Sequence, residues 1–155
     1  MTWQDKVAQT FIKSLQATLA RENRNASGKT SDSLSYVVSG NEIQIWGLDT
    51  YFYTENGRAA GTPPPVSAIL QWTIDKGIRA DNGNQLSLAF AIRTKIGQEG
   101  SPTSGSPNKG RMQPLQRTLD AILPDLAKIA SEGIAKETAG AIFSCLLYTS
   151  DAADE

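Results

Sequence analysis

The sequence predicts a single α+β domain in which a long N-terminal helix, a small antiparallel β-hairpin, and central and C-terminal helices pack together. Three observations predict this fold class. Apolar residues recur every four positions near the start of the chain, two short alternating segments flank a Gly-Asn turn, and most of the remaining chain has helical periodicity. With 155 residues, 39% of them hydrophobic, the chain is long enough to bury one core.

Residues 3–22 are predicted to form the first helix. Its apolar stripe consists of residues four positions apart: Trp3, Val7, Phe11, Leu15 and Leu19. This spacing places them on one face, while Gln, Lys, Thr and Asp fill the opposite face. That polar face is not basic enough for a helix that lies on a membrane, so we expect this helix to dock on the core.

The polar residues 23–33 are predicted to connect this helix to the hairpin. Within them, Gly28-Lys29-Thr30 is similar to the end of a phosphate-binding loop. That loop needs a glycine where Asn23 stands, and it needs a buried strand before it rather than an amphipathic helix. We therefore do not expect nucleotide binding here.

A β-hairpin is predicted over residues 34–46. Apolar and polar side chains alternate on both sides of Gly40-Asn41, and these two residue types tolerate the positive φ of a tight turn. The second strand has one apolar face and one mostly polar face, with Trp46 as the exception. Because a lone two-stranded hairpin is only marginally stable, it must pack on a helix or pair with more strands.

Residues 50–55 are predicted to form one or two helical turns, with a third strand as the alternative. Asp49 before the segment and Gly57 after it favour a capped helix, whereas the aromatic residues favour a strand. A flexible loop over residues 58–62 and three prolines then lead into a helix over residues 65–76.

A further helix is predicted over about residues 84–97, and a glycine at position 97 or 100 ends it. Residues 99–111 are rich in Gly, Ser and Pro, which predicts a long loop, and Lys109 and Arg111 make it locally basic. Long loops in compact domains are either functional or disordered, so a mobile connector and an interaction arm both remain open.

Helical periodicity returns over residues 113–139. Pro124 interrupts it, and a proline inside a helix loses one hydrogen bond and clashes with the preceding turn. We therefore expect two helices that meet near residues 123–124. Residues 144–155 do not continue the pattern, and from position 146 onward they resemble the translated adapter sequence that ends many metagenome reading frames. This predicts a domain of residues 1–143 and a non-native tail, with a frayed native tail as the alternative.

The composition excludes several kinds of site. The chain has no histidine, which removes Ser-His-Asp and Cys-His catalysis and histidine-bound metals, and the lone Cys145 excludes an internal disulfide. The net charge of −1 gives no general attraction to nucleic acid or acidic membranes. No apolar run approaches the roughly 18 residues of a membrane span, and the N-terminus lacks the pattern of a signal peptide, so synthesis in the cytoplasm is expected.

The order of several short motifs resembles that of the head–tail joining, or tail-completion, proteins of long-tailed bacteriophages. The motifs are Asn25-Ala-Ser-Gly28, Ser33-Leu34, Glu55-Asn-Gly57-Arg58, Gly61-Thr-Pro-Pro-Pro-Val66, Ile69 to Trp72, Phe90-Ala-Ile92, Lys95-Ile96 and Glu99-Gly100. They cover about half of the chain. Ala60 departs from the family pattern, since a proline is usual at that position, and this implies a more flexible loop.

The resemblance implies a structural virion protein, made in the host cytoplasm, that lies at the neck between capsid and tail as a ring. Its implied partners are further copies of itself and neighbouring neck or tail-tube proteins. No catalysis, metal, cofactor, small-molecule substrate, membrane or specific nucleic acid is implied. The candidate subunit or partner contacts lie in the two predicted loops: Glu55, Gly57, Arg58, Gly61, Lys109 and Arg111.

Two other functions remain open at this point. A small nucleic-acid-binding module would use Arg21, Arg24 and Lys29 together with the basic long loop, although surface charges usually only solvate a face. An enzyme would need a carboxylate pair from among four acidic residues: Asp75, Asp81, Asp120 and Asp125. These lie on different predicted elements, and the chain lacks the usual nucleophile–base partners.

Overall fold

The computed structural model describes residues 1–24, 26–81, 83–103 and 113–151, of which residues 143–151 are described by their backbone alone. Within these residues, a mostly helical α+β fold is present, as the sequence predicts. Its elements are α1 (Trp3–Arg21), α2 (Lys29–Asp32), β1 (Ser35–Ser39), β2 (Glu42–Trp46), α3 (Thr50–Asn56), α4 (Val66–Asp75), α5 (Gln85–Glu99) and α6 (Pro114–Asp151).

Helix α1 forms as predicted, and its apolar stripe supplies most of the core. A capping box fixes its start, because the Thr2 hydroxyl accepts a hydrogen bond from the Asp5 amide at 3.2 Å and the Asp5 carboxylate accepts one from the Thr2 amide at 2.8 Å. The core cluster joins three residues of α1 to one of α6: Phe11, Leu15, Leu19 and Leu126. Helices α1 and α6 therefore form the main packed layer.

The predicted hairpin is also confirmed. Strands β1 and β2 pair antiparallel with Ser35 opposite Trp46 and Ser39 opposite Glu42, and Gly40 has a φ of 58° in the turn. The alternate residues Tyr36 and Val38 are half-buried toward the body of the domain, where the Tyr36 hydroxyl accepts a hydrogen bond from the Gln9 side chain of α1 at 3.1 Å. The hairpin is thus stabilised by α1, as its size requires.

Two short helices flank the hairpin: α2 lies within the predicted connector of residues 23–33, and α3 follows the hairpin. The sequence did not predict α2, because four residues are too few to give a periodic signal. In the structure α2 contacts the start of α3, where the Thr30 hydroxyl lies 3.1 Å from the Thr50 hydroxyl. Helix α3 forms in preference to the alternative strand, and Gly57 with a φ of 74° ends it. Among the described residues, helix α1 is the element that precedes Gly28.

Helices α4 and α5 form an antiparallel pair that packs mainly on itself. The Gln85 side chain donates to the Thr73 hydroxyl at 2.8 Å, and Arg93 Nε donates to the Pro64 carbonyl at 2.8 Å, which sets the register of the two helices. Glycine ends α5 at position 100, so position 97 lies inside the helix. We call α4 and α5 together the helix pair.

The expected division of the C-terminal helix at Pro124 is wrong. Helix α6 is continuous from Pro114 to Asp151, with Pro124 inside it. The reason lies in the side that the proline occupies. Pro124 and Asp120, whose carbonyl loses its hydrogen-bond donor, are both exposed, so water replaces the lost donor and no core contact is displaced. A solvent-facing proline therefore interrupts one hydrogen bond without ending the helix.

Helix α6 is about twice as long as its partner, at about 57 Å against about 28 Å for α1. The two run antiparallel, with Thr118 bonded to Thr18 at 3.0 Å near one end and Gly133 against Trp3 at the other. Beyond Gly133, the side chains described up to residue 142 are exposed. The second half of α6 thus projects past α1. Whether residues 144–155 are native stays a prediction.

Candidate partner-binding site

The loop between α3 and α4, which contains the predicted contact residues Gly57, Arg58 and Gly61, is anchored by the end of α5. Arg58 and Ser101 form an isolated antiparallel bridge in which each amide donates to the other's carbonyl at 2.8 Å. The Gly61 amide donates to the Gly97 carbonyl, also at 2.8 Å. The sequence predicted a flexible loop, yet backbone hydrogen bonds hold both of its ends. What it presents to solvent is the short segment of residues 59–62.

Two glycines permit this close approach of the loop to α5: Gly97 within the helix and Gly100 directly after it. A Cβ at Gly100 would overlap the Arg58 carbonyl oxygen and lie 3.0 Å from the Ala60 nitrogen. A Cβ at Gly97 would lie 3.0 Å from the Pro63 Cβ. The Glu-Gly end of α5 that carries part of the phage resemblance therefore has a structural role, which is to let the loop pass against the helix end.

The Arg58 side chain lies along the surface of the loop that it precedes. Its guanidinium donates to the Thr62 carbonyl at 3.0 Å and lies 5.7 Å from the centre of the Tyr53 ring, within cation–π range. Both contacts hold the side chain over the loop and beside α3. Arg58 is thus a positioned cation beside Tyr53, which lines the cleft described below.

Glu55 has a role within the fold that local sequence patterns did not reveal. Its carboxylate accepts hydrogen bonds from the amides of Leu115 at 2.9 Å and Gln116 at 3.3 Å, and its carbonyl accepts one from Gln113 at 3.1 Å. These amides belong to the first turn of α6 or directly precede it, where backbone donors have no helical partners. Glu55 therefore caps α6 from α3, a position that favours negative charge.

A cleft of about 390 Å³ lies between the helix pair and the ends of α1 and α3. Four apolar side chains of the helix pair line it: Ile69, Trp72, Ile92 and Ile96. Three cations also line it: Arg24, Lys76 and Lys95. The Lys76 ammonium donates to the Asn23 carbonyl and, at 3.1 Å, to the Asn23 side-chain oxygen, which ties α4 to the end of α1. Burial lowers the pKa of Lys76 from its ordinary value.

A buried ion-pair cluster lies beside this cleft. The Glu22 side chain is only 6% exposed and accepts two hydrogen bonds from the Arg117 guanidinium, at 2.7 and 2.9 Å, while Arg24 lies 4.0 Å away. Hydrogen bonding to Glu22 raises the pKa of Arg117, whereas burial lowers that of Arg24. Burial, together with the Glu55 carboxylate, raises the pKa of Tyr51. The cluster joins the end of α1 to the start of α6.

Sequence reasoning missed both the cleft and this cluster. The cleft had a partial signal in the apolar spacing of Ile69 and Trp72, but the cluster joins residues about 95 positions apart and left none. Of the predicted contact residues, Glu55, Gly57, Arg58 and Gly61 lie together, whereas Lys109 and Arg111 fall outside the described residues. Arg24, proposed for nucleic-acid binding, has a buried side chain.

The residues that the structure describes form neither a metal-binding cluster nor a membrane-spanning helix. In the described part of the chain, acidic and cysteine side chains form no cluster of three that could hold a metal ion. No helix built from the described residues is long and apolar enough to cross a membrane. Comparisons with protein-family models, curated proteins and solved structures find no match to this chain. The phage resemblance therefore rests on the residues quoted above.

Proposed function

We propose that this chain is a structural virion protein of a long-tailed bacteriophage, a tail-completion or neck protein that assembles as a ring between head and tail. The observation that carries the proposal is that two segments with motifs of the phage resemblance, separated in sequence, meet in one anchored loop.

Exposed apolar side chains also support the proposal. On the hairpin, Val37 and Trp46 are 52% and 57% exposed, and on the helix pair Ile74 and Leu86 are 57% and 49% exposed. Apolar surface of this kind marks interaction sites in globular proteins.

The contacts between these two motif segments are direct. Residues 55–66 and 90–100 meet at the Gly61–Gly97 hydrogen bond, and the Arg58–Ser101 bridge lies directly beyond the second segment. The motifs of these two segments therefore form one anchored platform. A loop held on a rigid scaffold is a common way to present partner contacts.

In this proposal the chain acts by binding and not by catalysis. Its partners are further copies of itself and the neighbouring neck or tail-tube proteins, and its place is the virion neck. The segment of residues 59–62, with Arg58 at its base, is the proposed contact with a neighbour.

Co-expression with the products of the adjacent genes tests the proposal. We expect portal, connector or tail-tube proteins to be encoded nearby, to co-purify with the chain, and to yield ring-shaped particles in negative stain. Arg58→Ala should reduce co-purification at least tenfold, while Arg79→Ala, which removes an exposed arginine outside the loop, should not. A chain that binds none of these proteins would refute the function, and equal behaviour of the two variants would show that the loop is only a connector.

A further inference from the structure

The cleft between the helix pair and the ends of α1 and α3 has an apolar floor. Ile69 and Trp72 are three residues apart on α4, and Ile92 and Ile96 are four apart on α5, so each pair lies on one side of its helix. Ile69 is buried, whereas Trp72 is 39% exposed. The space of about 390 Å³ above this floor is open to solvent. A bound group in the cleft therefore has a large aromatic side chain to contact.

Cations lie at both ends of this floor. Lys76 directly follows α4, one turn after Trp72, and Lys95 lies near the end of α5. Because α4 and α5 run antiparallel, the end of one helix lies beside the start of the other, and the two lysines lie at opposite ends of the cleft. Arg24 lies at the same end as Lys76, which is bonded to the neighbouring residue Asn23.

The lining of the cleft carries an excess of positive charge. Among the described residues that line it, three are cations and none is acidic. The Glu22 carboxylate, which lies 4.0 Å from Arg24, also accepts two hydrogen bonds from Arg117, so one carboxylate serves two guanidinium groups. Burial lowers the pKa of Lys76 and of Arg24, because water solvates a partly buried charge poorly. A carboxylate in the cleft is therefore attracted from both of its ends.

We propose that the cleft binds an extended acidic peptide segment of a second protein, in which large apolar side chains lie between aspartate or glutamate residues. The apolar side chains cover Trp72 and the isoleucines, and the carboxylates pair with the cations at the two ends. An extended segment reaches both ends, whereas a compact carboxylate reaches one of them. Residues 104–112, which follow the lining in sequence, contain Lys109 and Arg111 and no acidic residue, so they do not supply this segment.

The cleft lies within one chain, so this binding does not depend on the ring assembly of the proposed function. Its occupant differs from the contact proposed for residues 59–62, because it is recognised by its negative charge and by its apolar side chains. Loss of peptide binding and loss of ring assembly are therefore separate results.

Fluorescence titration of the full-length chain tests the proposal with synthetic peptides. The probe is a panel of short peptides without tryptophan, in which Leu or Phe lie between Asp or Glu; the controls are the same peptides with Asn and Gln in place of the acids. Because Trp72 lines the cleft, the tryptophan emission should shift to shorter wavelength when an acidic peptide covers it. We expect the best acidic peptide to bind about tenfold or more tightly than its amide control at low salt, and the difference should shrink as salt is added.

Two variants with matched controls locate the binding. Lys95→Glu reverses a charge at one end of the cleft, and Lys128→Glu reverses an exposed charge of α6 outside it. Trp72→Ala removes part of the floor and the fluorescent reporter, and Trp46→Ala removes an exposed tryptophan of the hairpin. With fluorescein-labelled peptide and anisotropy as the readout, each cleft variant should bind about tenfold or more weakly, while each control stays within about twofold. Circular dichroism checks that every variant folds.

Three results would overturn the proposal. The first is that no acidic peptide of the panel binds the native chain, and the second is that the amide controls bind as tightly as the acidic peptides. The third is that the folded cleft variants bind like the native chain. Sodium octanoate, a carboxylate with an apolar tail, tests a small ligand as the occupant. If it binds as tightly as the best peptide, the cleft takes a compact carboxylate and the assignment of a peptide is wrong.

Discussion

Replacement of Gly100 by alanine tests whether the loop over residues 58–62 is held as a fixed platform. Gly100 has a φ of +79° and a ψ of −165°, a combination that is essentially restricted to glycine and costs another residue about 1–3 kcal/mol. The added Cβ would also overlap the Arg58 carbonyl, so the two hydrogen bonds between Arg58 and Ser101 must lengthen or break. At about 0.5–1.5 kcal/mol for each bond, the free energy of unfolding should fall by about 2–6 kcal/mol in total.

Gly40→Ala is the matched control for this substitution. Gly40 also has a positive φ, of 58°, but a Cβ there would meet no atom within 4 Å. It should therefore lose only the conformational part, about 1–2 kcal/mol. Urea denaturation measures both losses, and amide hydrogen exchange should rise at Arg58 and Ser101 in the Gly100 variant alone. If Gly100→Ala destabilises the chain no more than Gly40→Ala, the loop is not anchored as described.

Three further substitutions test other parts of the fold by urea denaturation. Glu55→Ala removes the cap of α6 and should cost about 0.5–2 kcal/mol; an unchanged stability would contradict the capping role. Gly133→Ala places a Cβ against Trp3 and should lower the free energy of unfolding by about 1–3 kcal/mol. Its control, Gly140→Ala, lies in open space on the same helix and should raise the free energy of unfolding by up to about 1 kcal/mol. Equal effects of the two substitutions would disprove the close contact with Trp3. Pro124→Ala restores a helical donor at an exposed site and should stabilise the chain by about 1–3 kcal/mol, and a loss would mean that the proline has a packing role.

Elements with a strong local pattern were predictable from the sequence. The apolar stripe from Trp3 to Leu19 predicted α1, and Gly40-Asn41 predicted the hairpin turn. Gly57 favoured a helix over a strand for the segment that forms α3. Each of these signals lies within a few residues of the element that it predicts. The Pro124 prediction failed because a proline breaks a helix only where its surroundings cannot replace the lost hydrogen bond, and exposure is not visible in a local pattern.

The geometry of the candidate site was less predictable, since it depends on contacts between distant residues. The sequence placed a loop between α3 and α4, where the structure has one, but the anchoring of this loop through Ser101 and Gly97 could not be predicted from neighbours in sequence. The position of Glu55 as the sixth residue of the short helix α3 gave no indication that it would cap α6, sixty residues later. Trp46 is an exception, because the sequence already placed it on the mostly polar face of its strand, and it is 57% exposed there.

The central claim is that this chain is a subunit of a closed ring. Native mass spectrometry of the full-length chain, alone and with the tail-tube and connector proteins of the same gene cluster, tests it most directly. We predict one dominant oligomer whose mass is a whole multiple of the 16.7 kDa chain and which does not grow with concentration. A chain that stays monomeric in both samples would contradict the claim, and so would an open series of ever longer oligomers.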